Sequence, residues 1–168
     1  MPTKIPICYS AEEVKEFLIR HKEAKFILYL AHKDDEDWDK STSRVYMNQI
    51  SPRLIYLPVD LEKDDLESLR KIYKISQESN QIVAINQTQP HKSNPVVQEL
   101  FRSLPDVPPN IDSIIKNQKG ELEPYNINGP AFVDWFLAEV GPIEGNTVVL
   151  VGVGGAGESI AREVAKNC

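Results

Sequence analysis

Apolar positions along the chain change period repeatedly, from helical spacing to short continuous runs and back. Ser10-Ala11-Glu12-Glu13 has capping-box spacing, and Val14, Phe17 and Leu18 then repeat as a helical face expected to end near His21. Lys25–Leu30, Leu54–Val59 and Gln81–Ile85 are short runs rich in strand formers. Between the second and third, Leu61, Leu66, Leu69 and Ile72 predict a helix over Leu61–Tyr73. Pro95 opens a short helix with Val96, Val97, Leu100 and Phe101 on its apolar face. Ile111–Ile115 and Glu121–Tyr125 flank Asn117-Gln118-Lys119-Gly120 and read as a hairpin. Pro130 suits a first helical turn, and Phe132, Val133, Trp135, Phe136 and Val140 form a stripe expected to be core. A last apolar run, Thr147–Val151, predicts one more strand.

Strands alternating with helices and ending in a hairpin predict an α/β fold, a three-layer sandwich on a mixed, mainly parallel sheet. Residues 1–140 form the expected first domain. Residues 141–145, Gly-Pro-Ile-Glu-Gly, are a linker, and 146–168 hold one strand, a glycine loop and one helix. A lone parallel strand exposes unpaired backbone groups, so it must pair with the first domain, with a second copy of the chain as a homodimer, or stay mobile.

Composition narrows the function classes. At 168 residues and 41% hydrophobic content the chain can bury one proper core. A formal charge of −6 with scattered Lys and Arg argues against a nucleic-acid surface. Cys8 and Cys168 cannot make a disulfide framework, no stretch reaches the ~18 apolar residues of a membrane helix, and no secretory leader is evident, so a cytoplasmic protein is expected. Asp34–Asp39 reads as a solvated acidic loop, and no metal site is expected.

Gly152-Val153-Gly154-Gly155-Ala156-Gly157 is a G-x-G-x-x-G loop between a predicted strand and a helix. In that setting Gly152, Gly154, Gly155, Ala156 and Gly157 are candidate dinucleotide-binding residues. The ribose-reading residue belongs ~20 positions further on, beyond Cys168. The expectation is an incomplete Rossmann-type unit, a truncated form.

Four motifs in order resemble one family. Asn86-Gln87-Thr88-Gln89-Pro90-His91-Lys92 is similar to the Asn-Val-Thr-x-Pro-His-Lys segment of the shikimate dehydrogenases. Ser41-Thr42-Ser43 resembles that family's Ser-x-Ser substrate loop. Gly120-Glu121-Leu122 with Tyr125-Asn126-Ile127-Asn128-Gly129 resembles Gly-x-Leu and Tyr-Asn-Thr-Asp-Gly, and the Gly152 loop stands where the family has Gly-x-Gly-Gly-Ala. The resemblance runs from about Asp39 to the end. It implies an oxidoreductase of the shikimate pathway in aromatic amino-acid biosynthesis, with reversible hydride transfer between NADPH and the carbonyl of a cyclic hydroxy-acid. By the same resemblance Ser41 and Ser43 hold the substrate carboxylate, Thr88 and Lys92 address the ring oxygens, and Asn126 walls the pocket. Read from the residues alone, the two serines serve equally as helix caps. A lysine ammonium suits proton delivery, worth ~10²–10⁴ in rate, because burial lowers its pKa. His91 reads as structural.

Two departures stand out. Asn128 occupies the place of the family's carboxylate partner of the lysine, and an amide cannot titrate. If the two act as one unit, the loss is about 3–5 kcal/mol of transition-state stabilisation. Asp112 stands where the family has a substrate-contacting Asn. With the short cofactor segment, these predict little or no activity of the chain alone. The alternatives are a non-catalytic remnant that binds a small hydroxy-acid or serves as an assembly partner, and a quinate-type dehydrogenase of altered specificity.

Overall fold

The computed structural model describes residues 5–32, 54–152 and 154–168. Ser41 and Ser43 lie outside them. Five strands form one mixed sheet in the order β2-β1-β3-β4-β5, with β1 at Lys25–Ala31, β2 at Leu54–Asp60, β3 at Ile82–Gln87, β4 at Ser113–Lys116 and β5 at Leu122–Tyr125. The pairs β1/β2 and β1/β3 are parallel, whereas β3/β4 and β4/β5 are antiparallel. This is the alternating α/β fold with a mixed sheet that the periodicity predicts.

Strand alternation decides what each face buries. Phe26, Leu28 and Leu30 of β1 are fully buried on one face and join Leu57 and Val59 of β2 with Ile82 and Ile85 of β3 in the main core. Tyr29, Ala31 and Tyr56 form a smaller cluster, in which the two tyrosine rings stack with centroids 5.2 Å apart. Burial on both faces is what a central parallel strand requires, and it explains why β1 reads as a continuous apolar run. Prolines fall on the outer strands, Pro58 in β2 and Pro124 in β5, where a missing ladder donor costs least. Cys8 closes part of the β2 edge, donating its N–H to Pro58 O and accepting from Asp60 N at 3.0 and 2.8 Å.

Three helices share the main core: α1 (Ala11–Arg20), α2 (Leu66–Glu78) and α3 (Pro95–Phe101). Ser10 caps α1 by accepting from Glu13 N, and Glu13 reaches back one residue further than a capping box, to Tyr9 N at 2.7 Å. At its other end the Gln81 side-chain nitrogen donates to the carbonyls of Leu18, His21 and Ala24, tying the end of α1 and the turn after it to the start of β3. α2 begins later than its apolar spacing predicts. Leu61 is buried but donates to Ala31 O as an extension of the sheet, and Asp65 caps the helix through Ser68 N. A short polar turn therefore separates residues that the spacing had joined.

The C-terminal part departs most. α4 (Asn128–Glu139) packs on α5 (Gly155–Lys166) through Val133, Ile143 and Val164, with Phe132, Phe136 and Ile160 around them. The stripe expected to be core therefore divides: Val133 is buried with Phe132 and Phe136 against it, whereas Trp135, 55% exposed, touches those two rings from outside the cluster and Val140 is 62% exposed. The strand expected over Thr147–Val151 is not formed. Val149 and Val151 are 82% and 94% exposed, because among the described residues no neighbouring strand takes up their backbone groups.

Candidate functional site

β3 delivers the first candidates. At its end Thr88 N donates to Leu30 O, anchoring the following turn beside the end of β1. The chain then folds through a cis Gln89–Pro90 bond into a 3-10 turn, His91–Ser93, in which His91 N and Lys92 N both donate to Thr88 O. Thr88 Oγ1 donates to Gln89 O at 3.1 Å. Lys92 is half-buried, and among the described residues its ammonium has neither a hydrogen bond nor an ion pair. His91 is buried with both ring nitrogens lacking a well-formed hydrogen bond. Burial pushes its pKa down, and the nearby Leu61 and Ala31 backbone offsets only part of that.

A single backbone bond ties this turn to the second group. Ile111 N donates to Lys92 O at 2.9 Å, and the next residue is Asp112. Gln87 braces the junction: its N–H donates to Asp112 O, its side-chain nitrogen to Ile111 O, and its side-chain oxygen accepts from Tyr73 OH. Gln87 lies inside the Asn86–Lys92 segment, at the place where the compared motif has Val, and Tyr73 belongs to no motif, so the motifs do not point to this brace. Its one signal is a polar residue at the end of an apolar strand.

Asp112, Asn126 and Asn128 converge on the start of α4. Asp112 is 3% exposed, and its Oδ1 accepts from Ile127 N at 3.0 Å. Its Oδ2 accepts from Asn128 Nδ2. Asn126 Oδ1 accepts from Asn128 N and from Asn128 Nδ2, while Asn126 Nδ2 donates to Asn110 O at 2.7 Å. Gly129 N donates to Ser159 Oγ of α5 at 3.0 Å, and Pro130 has no N–H to satisfy. The orphan donors at this helix start are thus met by side chains from three segments. A carboxylate at that end is also favoured by the helix dipole, worth about 0.3–1 kcal/mol.

The glycine loop has features that fit a pyrophosphate. Gly152 takes φ +96, as a tight turn needs, and Gly154 has open space where a side chain would stand. A Cβ on Gly157 would lie 2.4 Å from Gly152 O, so only glycine permits this packing. The first two match the turn and close-approach roles of a dinucleotide loop, while Gly157 packs on the loop's own Gly152 O rather than against a strand. Gly154 caps α5 without a side-chain bond, so the first-turn N–H groups of Gly155, Ala156 and Gly157 receive no side-chain cap from it. A Cβ on Gly155 would meet the Asn110 side chain at 2.9 Å, which puts the loop against the segment leading to Asp112.

Asp112, Asn126 and Asn128 thus form one hydrogen-bonded group, a backbone bond links its segment to the turn of Thr88 and Lys92, and Gly155 lies against Asn110; among the described residues no hydrogen bond joins the Thr88 or Lys92 side chain to that group. Among the described residues no group of His, Cys, Asp and Glu is arranged to hold a metal. The groove of about 290 Å³ between α2 and α3, lined by Arg70, Lys74 and Glu99 among others, contains none of the candidate substrate- or cofactor-binding residues. No described helix is long and apolar enough to cross a membrane.

No family model matches the chain. It is 26% identical over 113 residues to the shikimate dehydrogenase (NADP(+)) of Alkaliphilus metalliredigens (strain QYMF), which is 66% of this chain and 37% of that protein. The corresponding protein of Alkaliphilus oremlandii (strain OhILAs) is 28% identical over 116 residues, with the same coverage. The chain thus spans little more than a third of the curated relatives it matches. Among solved structures it is similar to a shikimate dehydrogenase in complex with NADP+ (22% identity, 87% of this chain, 50% of that one, TM-score 0.67). It is also similar to quinate dehydrogenase from Corynebacterium glutamicum in complex with NAD (14%, 86%, 52%, 0.64). Shikimate dehydrogenase 1 from Peptoclostridium difficile matches at 16% identity over 85% of this chain and 52% of that one, with a TM-score of 0.59. At these identities the solved structures establish the fold. The curated relatives support membership of the shikimate dehydrogenase family over the matched part of the chain.

Proposed function

We propose that this chain, as a partial relative of the shikimate dehydrogenases, supplies the pocket for a hydroxylated ring acid and the phosphate loop of its NADP partner. The observation that carries this reading is the Ile111 N–H to Lys92 O bond. It welds the turn bearing Thr88 and Lys92 to the cluster of Asp112, Asn126 and Asn128, so an ammonium, a hydroxyl and amide groups share one end of the sheet. Ligands of open α/β sheets bind beyond the carboxyl ends of the parallel strands, where Thr88 stands.

In this reading Lys92 donates a proton to the ring oxygen as the carbonyl is reduced, and recovers it in the reverse direction. Thr88 binds a second ring oxygen, and Ser41 and Ser43 bind the carboxylate. A nicotinamide cofactor held at the loop would supply the hydride as NADPH and take it back as NADP+ in the reverse direction. The chain's own contribution there is the first-turn N–H groups of α5, which favour a phosphate. A second reading, binding of the hydroxy-acid without turnover, is favoured by one observation: the group nearest Asp112 is the neutral amide of Asn128.

Calorimetric titration tests the shared premise. Shikimate is expected to bind the chain saturably, and Lys92→Met to weaken it ~10-fold, the scale of one charged hydrogen bond. Quinate measured beside it separates the two ring acids. Absence of binding at ~1 mM ligand, a bare 4 kcal/mol of affinity, would overturn the reading. NADP+-dependent oxidation of shikimate then separates turnover from binding alone.

A further inference from the structure

Asp112 is 3% exposed and, among the described residues, meets only neutral donors, the N–H of Ile127 and the amide of Asn128. The Asn128 amide gives both its N–H groups away, one to Asp112 Oδ2 and one to Asn126 Oδ1. Two acceptors on one side fix which end of this amide is nitrogen. Its oxygen is therefore turned from the cluster, and among the described residues no donor reaches it. Asn128 is half-buried, so that oxygen is accessible. A carboxylate that accepts from an amide N–H polarises the amide and makes its carbonyl oxygen a stronger acceptor. We infer that Asp112 and Asn128 form one hydroxyl-reading unit, in which Asn128 Oδ1 accepts a ring hydroxyl of the ligand and Asp112 is the positioning residue that orients and polarises it. This rests on the proposal that a hydroxylated ring acid binds here, and it places the site's negative charge on Asp112.

The competing view is that Asp112 merely caps α4. Asp112→Asn separates the two, because an asparagine keeps an oxygen for Ile127 N–H and loses only the charge. In titrations of the whole chain, shikimate is compared with cyclohex-1-ene-1-carboxylate, which keeps the ring and carboxylate and lacks the hydroxyls. Wild type is expected to prefer shikimate. Asp112→Asn should weaken shikimate ~10- to 100-fold while leaving the hydroxyl-free acid unchanged, and Asp112→Asn/Asn128→Asp, which returns a carboxylate to the pair, should recover most of the preference. A folded Asp112→Asn that binds shikimate as wild type does, or that weakens both acids equally, overturns the inference. If the variant does not fold, wild type decides: the Asn128 side-chain amide signals should shift with shikimate and stay in place with the hydroxyl-free acid, and an unmoved signal overturns the unit. Wild type that binds neither acid refutes the pocket itself, a different and distinguishable failure.

Discussion

The sheet and the C-terminal segment carry apolar runs of the same kind and treat them in opposite ways. In β1 the run is enclosed by β2 and β3, and Phe26, Leu28 and Leu30 are fully buried. In 147–151 a run of similar composition forms no ladder and leaves Val151 94% exposed. Composition is nearly the same in both, so what differs is the partner. A strand is a property of a pair, and its apolar content becomes stability only when a neighbour takes its backbone groups and a layer covers its side chains.

That contrast can be broken most directly by truncating one side chain on each side of it. Leu28→Ala should destabilise the fold by about 2–5 kcal/mol, since the site is enclosed and relaxes poorly. Val151→Ala should change stability by less than ~0.5 kcal/mol. Chemical denaturation of both variants checks this, and an equally large effect at Val151 would mean that the segment packs after all. Gly129→Ala probes the contact joining the two regions. A helical alanine ordinarily gains up to ~1 kcal/mol over glycine. Here its Cβ would lie 2.5 Å from Ser159 O and 2.8 Å from Ser159 Oγ, and a backbone oxygen cannot swing aside. Steric overlap should win by ~1–3 kcal/mol. Hydrogen exchange should rise in α5 while the sheet keeps its protection.

Much of the sheet was legible because burial imposes a period. Central strands are apolar throughout, prolines sit on edge strands, and Ser10, Asn94 and Pro95 mark helix starts by local hydrogen bonding, which needs no knowledge of the rest of the fold. The late start of α2 was not legible, because Leu61 faces the core whether it ends a strand or begins a helix. The same limit hid the brace of Tyr73 and Gln87, whose partners are fourteen or more residues apart. For the candidate site, the motifs named Thr88, Lys92, Asn126 and Asn128, yet they showed Asp112 and Asn128 as two separate departures. In space these are one hydrogen-bonded pair, and only the return of the chain from β5 into α4 makes them so.

A pH-dependent effect concerns His91, which belongs wholly to the enclosed side of the comparison. It is 1% exposed, its ring nitrogens lack good hydrogen bonds, and burial is the main cause of its lowered pKa, with His32 adding to it and Asp60 opposing. An unfolded chain would protonate this ring near pH 6.5. Above that pH both states hold it neutral, and its full contribution to stability is present. As the pH falls below the unfolded value, the unfolded state takes up a proton that the folded state refuses, so stability declines until the folded value is passed. Thermal unfolding between about pH 7.5 and about 5.5 should therefore show a fall in midpoint for wild type, most of which His91→Leu removes. Glu12, Asp65 and Glu123 are each moved further down by their hydrogen bonds, away from this window. An unchanged slope in His91→Leu would show that the ring is solvated in solution, and that the end of β3 is open where it is drawn closed.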